Sequence, residues 1–384
     1  MSQTLSVAIV RRTALIVTGI FLYLFVTSHL VNLILGLISV ELMDAARPWL
    51  SGMWSGPFTR NILMMSLMIH FFLALYSLYL RNTLRVSTYD AVQLGCGILI
   101  IPLLAPHVTG IAATEQLGAP TSYIYLLPYF WVDSPGDGLR QVILLTVVWL
   151  HGSIGIFTWL RAQEARRSIL VVAYPVFVGV PILALLGYVE AGLQVIPQDM
   201  GGSGAALAQV EAVFESFSFP DDDVIASVVE TKFFLDRMIV WGSLGLVALV
   251  LLLRYRRISL LPRDETVNVI YSDELPSTIS AGSGLTLLEL AREANLPHAS
   301  LCQGRGRCGT CRVRILSSTS NLPAPQQLEQ KTLSRFSCPK DVRLACQLAP
   351  GPGRLELERI VAPDYSDLEI HDAQARARQP EAAE

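Results

Sequence analysis

Six long apolar stretches constrain the fold of this chain more than any other feature. They cover residues 13–39, 60–80, 91–112, 141–160, 168–190 and 233–253. A helix needs about 20 residues to cross a hydrocarbon core of about 30 Å, and each stretch has that length. The sequence therefore predicts an α-helical membrane bundle of six transmembrane helices over residues 1–258, surrounded by membrane lipid.

Basic residues predict the orientation of these helices. Eleven arginines lie near the helix ends on the side of the N-terminus, and four arginines and one lysine lie on the other side. Because short cytoplasmic loops carry the excess of Lys and Arg, we expect a cytoplasmic N-terminus, and six crossings return the chain to the cytoplasm. The formal net charge of −3 gives no indication of nucleic-acid binding.

Four histidines lie inside the first four predicted helices, one on each: His29, His70, His107 and His151. Ionisable residues in membrane-spanning segments are costly and usually functional. At a rise of about 1.5 Å per residue, His29 and His107 both lie about 26 Å from the cytoplasmic ends of their helices. By the same count, His70 and His151 lie about 15–16 Å deep.

Two matched depths predict two cofactors, because imidazoles that face each other inside a bundle can hold a haem b from both sides. The pairs His29/His107 and His70/His151 are the expected axial ligands of an outer and an inner haem. Two alternatives stay open. The four histidines could instead bond separately to backbone or hydroxyl groups, or they could bind a metal ion other than haem iron.

Four of the six cysteines form a pattern that predicts an iron–sulfur site. Cys302, Cys308 and Cys311 share one loop, and Cys346 follows after 34 intervening residues. Four thiolates are the usual ligands of a [2Fe–2S] cluster. Disulfides are disfavoured in a cytoplasmic domain, and zinc sites usually use two close Cys pairs where this chain has one.

The residues around this loop predict two strands and a short helix, at 267–270, 311–315 and 286–294. This order resembles the β-grasp fold of plant- and adrenodoxin-type ferredoxins. We therefore expect an α+β ferredoxin domain over residues 265–362. An extra cysteine, Cys338, lies eight residues before Cys346 and is expected to be a bystander thiol.

The two parts together resemble a known family over roughly residues 11–362. The resemblance rests on His29 within Phe21–Leu37, His70 in the run that ends at Arg85, His107 after residues 101–105, His151 within residues 149–155, and the cysteine pattern. These segments look like the membrane anchor and ferredoxin region of ferredoxin-containing bacterial class III adenylate cyclases. The anchor is similar to the dihaem cytochrome b subunits of succinate dehydrogenase and fumarate reductase, which implies the same histidine pairing and a bacterial inner membrane.

These observations predict transmembrane electron transfer between a membrane quinone pool and the cytoplasmic cluster, by way of the two haems. No catalytic residue is predicted. The alternative is a redox- or ligand-sensing membrane input module of an adenylate cyclase whose catalytic domain is absent from this chain. Cyclase activity would require that domain. The expected partners are quinone, a soluble redox protein or a fused cyclase domain, and by resemblance a second copy of the chain. The charged residues 363–384 are expected to be disordered or a coupling helix.

Overall fold

Long helices form the first part of the computed structural model, which describes residues 2–162, 167–260, 266–273, 276–282 and 284–362. The helices of this part are α1 (Ser2–Ile34), α2 (Val40–Leu50), α3 (Pro57–Leu80), α4 (Thr88–Gln116), α5 (Tyr123–Pro128), α6 (Pro135–Ala162), α7 (Arg167–Val195), α8 (Leu207–Ser216) and α9 (Asp222–Ser259). Within the described ranges, six are long and apolar enough to cross a membrane: α1, α3, α4, α6, α7 and α9. The predicted six-helix class is confirmed, and the predicted tail 363–384 lies outside the described residues.

Helix α9 begins at Asp222, eleven residues before the apolar stretch that predicted it. Acidic residues in its first turn suit the positive end of the helix dipole. Lys232 then pairs with Asp236 one turn later at 2.8 Å, which stabilises the helix through its polar section. Hydropathy alone detects only the apolar section, so the polar start was missed.

The four histidine-bearing helices, α1, α3, α4 and α6, surround the centre of the bundle. Helix α1 packs against α3, α6 and α7, while α4 packs against α6 and α9. Close approach of α1 and α7 depends on glycine, because a Cβ atom on Gly187 would lie 2.1 Å from the Leu33 carbonyl oxygen. Small residues serve this purpose at helix contacts in membranes. The histidines of α1 and α4, and those of α3 and α6, face each other across the bundle.

The second part is a mixed five-stranded sheet with two helices. Its elements are β1 (Thr266–Tyr271), β2 (Ser277–Gly282), α10 (Leu287–Glu293), β3 (Arg312–Ser318), α11 (Gln327–Arg335), β4 (Val342–Leu344) and β5 (Gly353–Arg359). The strand order is β2-β1-β5-β3-β4, with β1 and β5 parallel and the other pairs antiparallel. Helix α10 begins with a capping box between Thr286 and Glu289. The predicted strands, helix and α+β ferredoxin fold are confirmed.

Contacts between the two parts place the cysteine loop over the end of the bundle. The α3–α4 loop bonds to α10 and the residues after it: Asn82 to Glu289 at 3.3 Å, Thr83 to Glu293, and Arg85 to Asn295 at 2.7 Å. On the cysteine loop, Arg305 pairs with the buried Asp90 of α4 at 3.5 Å. The Arg12 guanidinium of α1 also donates to the Arg305 carbonyl at 3.3 Å. The ferredoxin domain is thus docked on the bundle.

A buried ion pair joins α11 to β4 inside the ferredoxin domain. Arg343 donates to both carboxylate oxygens of Glu329, at 2.9 and 3.0 Å, and the Leu344 amide donates to the same side chain at 2.9 Å. Glu329 is fully buried and Arg343 nearly so. Removal of one partner of a buried pair leaves an uncompensated charge, which is strongly destabilising.

We expect Glu329→Ala to lower the free energy of unfolding of the ferredoxin domain by about 3–5 kcal/mol, because it strands the Arg343 guanidinium. A denaturant titration that follows the unfolding of this domain measures the change. Glu358→Ala is the matched control, since it breaks the partly exposed pair with Arg314 (2.9 Å), and such pairs contribute about 0–1 kcal/mol. Equal losses of unfolding free energy in the two variants would contradict a stabilising role for the buried pair of Glu329 and Arg343.

Candidate iron–sulfur site and histidine cavity

The four predicted cysteines lie together, buried, in two pairs. The sulfurs of Cys311 and Cys346 lie 3.3 Å apart. The Cys302 amide donates to the sulfur of Cys308 at 3.3 Å. Within the described ranges no group of three or more His, Cys, Asp or Glu could hold a single metal ion. The arrangement therefore offers two sites of two thiols each, side by side.

Glycines shape the loop that carries three of these cysteines. Gly304, Gly306 and Gly309 have φ values of +88°, +63° and +69°, in the left-handed region that favours glycine. At Gly309 there is also no room, because a Cβ atom would lie 2.3 Å from the Phe336 ring. The resulting turn aims a backbone amide at sulfur: the Arg307 amide donates to Cys302 Sγ at 3.4 Å.

Hydrogen bonds and burial shift the pKa values of three of these cysteines. Hydrogen bonding to Cys308 and to loop amides lowers the pKa of Cys302 to about 6. The same pairing, together with burial, raises the pKa of Cys308. The hydrogen bond to Cys346 and burial raise the pKa of Cys311 in the same way. Thiolate is the form that ligates a metal, so metal binding at these pairs would release the protons that the sulfurs carry.

Cys338 lies outside both pairs. It is half-buried and its sulfur contacts the Arg312 guanidinium at 3.8 Å. The same guanidinium donates to the Gly309 carbonyl at 2.8 Å, behind the cysteine loop. The chain thus brings Cys346, and not Cys338, beside Cys311.

The histidines meet in the two pairs that helix depth predicts. The ring centroids of His29 and His107 lie 6.3 Å apart, with the ring planes at 69°. Those of His70 and His151 lie 6.2 Å apart, at 82°. The role of these rings as ligands stays a prediction.

Three of the four histidines have their Nδ1 atoms engaged by hydrogen bonds. The partners are the Ser51 hydroxyl for His29 (3.3 Å), the Thr18 hydroxyl for His70 (3.1 Å) and the Gln93 carbonyl for His151 (2.8 Å). The Nδ1 atom of His107 is buried and has no partner among the described residues. The sequence did not reveal these partners, because each lies on another segment whose register against the histidine depends on packing.

One continuous cavity of about 1070 Å³ connects the histidines to the cysteine loop. All four histidines line it, and its end near the ferredoxin domain is lined by Cys346 and Arg307. Pockets for one small molecule occupy about 300–1,000 Å³, so this space is sufficient for more than one ligand of moderate size.

Comparisons with known proteins identify the second part. The family of 2Fe-2S iron-sulfur cluster binding domains matches residues 270–351, which include all four paired cysteines. A 2Fe-2S ferredoxin of Rickettsia prowazekii is 33% identical over 84 residues, 21% of this chain and 75% of the relative. The chain belongs to the 2Fe-2S ferredoxin family. Its cofactor is a [2Fe–2S] cluster, and such a domain beside six membrane-type helices indicates electron transfer.

Two further matches concern about a quarter of the chain. A component of the Na(+)-translocating NADH-quinone reductase of Chlamydia trachomatis is 30% identical over 105 residues, 27% of this chain. The chain spans only 23% of the length of that relative. The crystal structure of a Trichomonas vaginalis ferredoxin is 23% identical and covers 24% of this chain and 98% of that protein, with a TM-score of 0.20.

We expect Cys346→Ala to abolish the cluster, because it removes half of one thiol pair of this ferredoxin domain. Cys338→Ala is the matched control and should retain two cluster irons per chain. Iron and sulfide analysis, with electron paramagnetic resonance of the reduced protein, distinguishes the two. Loss of the cluster in the Cys338 variant alone would reverse the assignment.

Proposed function

We propose that this chain transfers electrons across a membrane, between a [2Fe–2S] cluster on its ferredoxin domain and two haems b in its helical bundle. The cluster ligands are Cys302, Cys308, Cys311 and Cys346. The haem ligands are the pairs His29/His107 and His70/His151. The observation that carries the proposal is the spacing of the two imidazole pairs inside one cavity that continues to Cys346.

The two thiol pairs suit a binuclear cluster. In a [2Fe–2S] centre with four cysteine ligands, each iron takes two thiolates. A single zinc ion would instead need four ligands around one point. The pairing of Cys302 with Cys308, and of Cys311 with Cys346, fits the first arrangement.

The imidazole spacing suits one iron between the two rings of each pair. With metal–nitrogen bonds of about 2.0–2.1 Å and a ring nitrogen roughly 1.1 Å from its ring centre, two rings that share an ion have centroids roughly 6.3 Å apart. The observed spacings are 6.3 and 6.2 Å. Two rings in direct hydrogen-bonded contact would have centroids closer together.

The surroundings of the rings also suit metal ligation. A ligating histidine normally donates its second ring N–H to an oxygen, which fixes its orientation and raises its basicity. His29, His70 and His151 have such a contact at Nδ1, and this leaves Nε2 available. Glycine makes room for two of the rings, because a Cβ atom on Gly19 or Gly97 would lie 3.1 or 2.9 Å from the ring of His70 or His151.

When bound, the cluster and the haems each take up and release single electrons. The chain contributes binding and position. The apolar helices place the histidines inside the bundle, and the loop glycines let the backbone wrap around the cysteines. Docking through Arg305 and Asp90 keeps the cysteine loop at the mouth of the histidine cavity, at a high effective concentration.

The membrane partner that we propose is the quinone pool, and the distant similarity to a quinone-reductase component supports this chemistry.

The arginine excess supports a cytoplasmic ferredoxin domain in a bacterial inner membrane. We propose the domain limits 1–258 for the bundle and 265–362 for the ferredoxin.

The first test is a reduced-minus-oxidised optical spectrum of detergent-purified protein, with pyridine-haemochrome and iron analysis. We expect two haems b and two further irons per chain. Cluster iron in the absence of haem would refute the proposed relay and leave a ferredoxin on a membrane anchor.

We expect His70→Ala to remove one of the two haems and to leave the cluster intact, because the other histidine pair occupies a separate level. Haem content should therefore fall to half, while the cluster resonance is unchanged. His298→Ala, which changes a ferredoxin histidine outside the cavity, should leave haem content at two. Loss of both haems in the His70 variant would argue against independent levels.

A further inference from the structure

The cavity ends between the cysteine loop and the bundle in a strongly positive region, which we call the junction. Six arginines line it: Arg11, Arg12, Arg81, Arg292, Arg305 and Arg307. Two carboxylates line the same end, those of Asp90 and Glu289. The junction therefore has an excess of four positive charges.

The carboxylates of the junction are already engaged. Asp90 is shared by Arg81 at 3.9 Å and Arg305 at 3.5 Å. Glu289 accepts hydrogen bonds from the amide and hydroxyl of Thr286, at 2.9 and 3.0 Å, as part of the helix cap. Neither carboxylate is among the partners of Arg307 in the described part of the chain.

Arg307 is the most deeply buried of these arginines. Only 9% of the residue is exposed, and its buried Nε atom has no hydrogen-bond partner within the described ranges. A buried charge is costly unless it is paired. Guanidinium groups bind carboxylates and phosphates in a bidentate manner. An anion in the junction would provide the missing partner.

The junction lies close to the inner histidine pair. Thr18, whose hydroxyl contacts His70, is six residues after Arg12 on α1, which is about 9 Å along the helix. A haem held by His70 and His151 would carry two propionate carboxylates at one edge. The positive junction favours that edge, and a free anion from solution would have the same chemistry.

We propose that the junction is an anion-binding site in which Arg307, together with Arg12, binds carboxylate or phosphate groups between the ferredoxin domain and the bundle. The propionates of the inner haem are one source of that chemistry and a free anion is the other. The first source rests on the proposed function. If the propionates are the source, Arg307, which precedes the cluster ligand Cys308 in the chain, also contacts the edge of the haem.

Full-length purified protein and its Arg307→Gln variant test this proposal by optical redox titration of the haems. Loss of the positive charge beside a propionate should make one haem harder to reduce. We expect its reduced-to-oxidised ratio at a fixed potential to fall about tenfold, a shift of about 59 mV for one electron. Arg12→Gln, on the bundle side of the junction, should lower the reduction potential of the same haem. Arg354→Gln, at an arginine whose side chain is 63% exposed, should leave the reduction potentials of both haems unchanged.

A second arm adds inorganic phosphate at constant ionic strength and follows the cluster resonance. A response in the wild type that is lost in Arg307→Gln would support the site with a free anion as its source. Two haems with unchanged potentials in both junction variants, and no phosphate response, would overturn the proposal. Wild-type protein without haem would contradict the proposed function, and the phosphate arm would then decide the anion site alone.

Discussion

The buried carboxylate of Asp90 is the interaction on which the arrangement of this molecule depends. It lies near the start of α4, its side chain is 5% exposed, and it pairs with Arg81 of the bundle and Arg305 of the cysteine loop. Both arginines need a counter-charge in a partly buried site, and one carboxylate serves both. The cysteine loop is thereby held at the opening of the cavity that the histidines line.

A second constraint comes from the membrane itself. A polar side chain inside a hydrocarbon-spanning helix must face the interior of the bundle, because lipid offers it no hydrogen bond. Four imidazoles on four helices therefore converge on one space, and helix length fixes the levels at which they meet. The same rule explains the Nδ1 contacts to Ser51, Thr18 and Gln93, since each satisfies an imidazole inside the bundle.

Much of the fold and part of the site could be predicted from the sequence. The six spans follow from apolar length, and the histidine pairs follow from counting residues along helices of known rise. The cysteine spacing identified the ferredoxin domain because four thiolates around a glycine-rich loop have few other uses.

The polar start of α9 was missed, since hydropathy registers lipid contact and not helix formation. The junction could not be predicted, because Asp90, Arg307 and Arg12 are far apart in the chain and their environment exists only after the ferredoxin domain docks on the bundle. The roles of the histidines as haem ligands, and the likeness of the bundle to cyclase anchors, remain predictions from the sequence.

The α3–α4 loop is held from two directions. On one side, Arg254 of α9 donates to the carbonyls of Arg81 and Asn82 at 2.8 and 2.9 Å. On the other side, α10 accepts from the same loop through Glu289 and Glu293. Helix α9, which leads into the ferredoxin domain, therefore bonds to the same loop that contacts α10 of that domain. These contacts hold the ferredoxin domain at the end of the bundle, so the chain itself sets the distance between the cysteine loop and the histidine cavity.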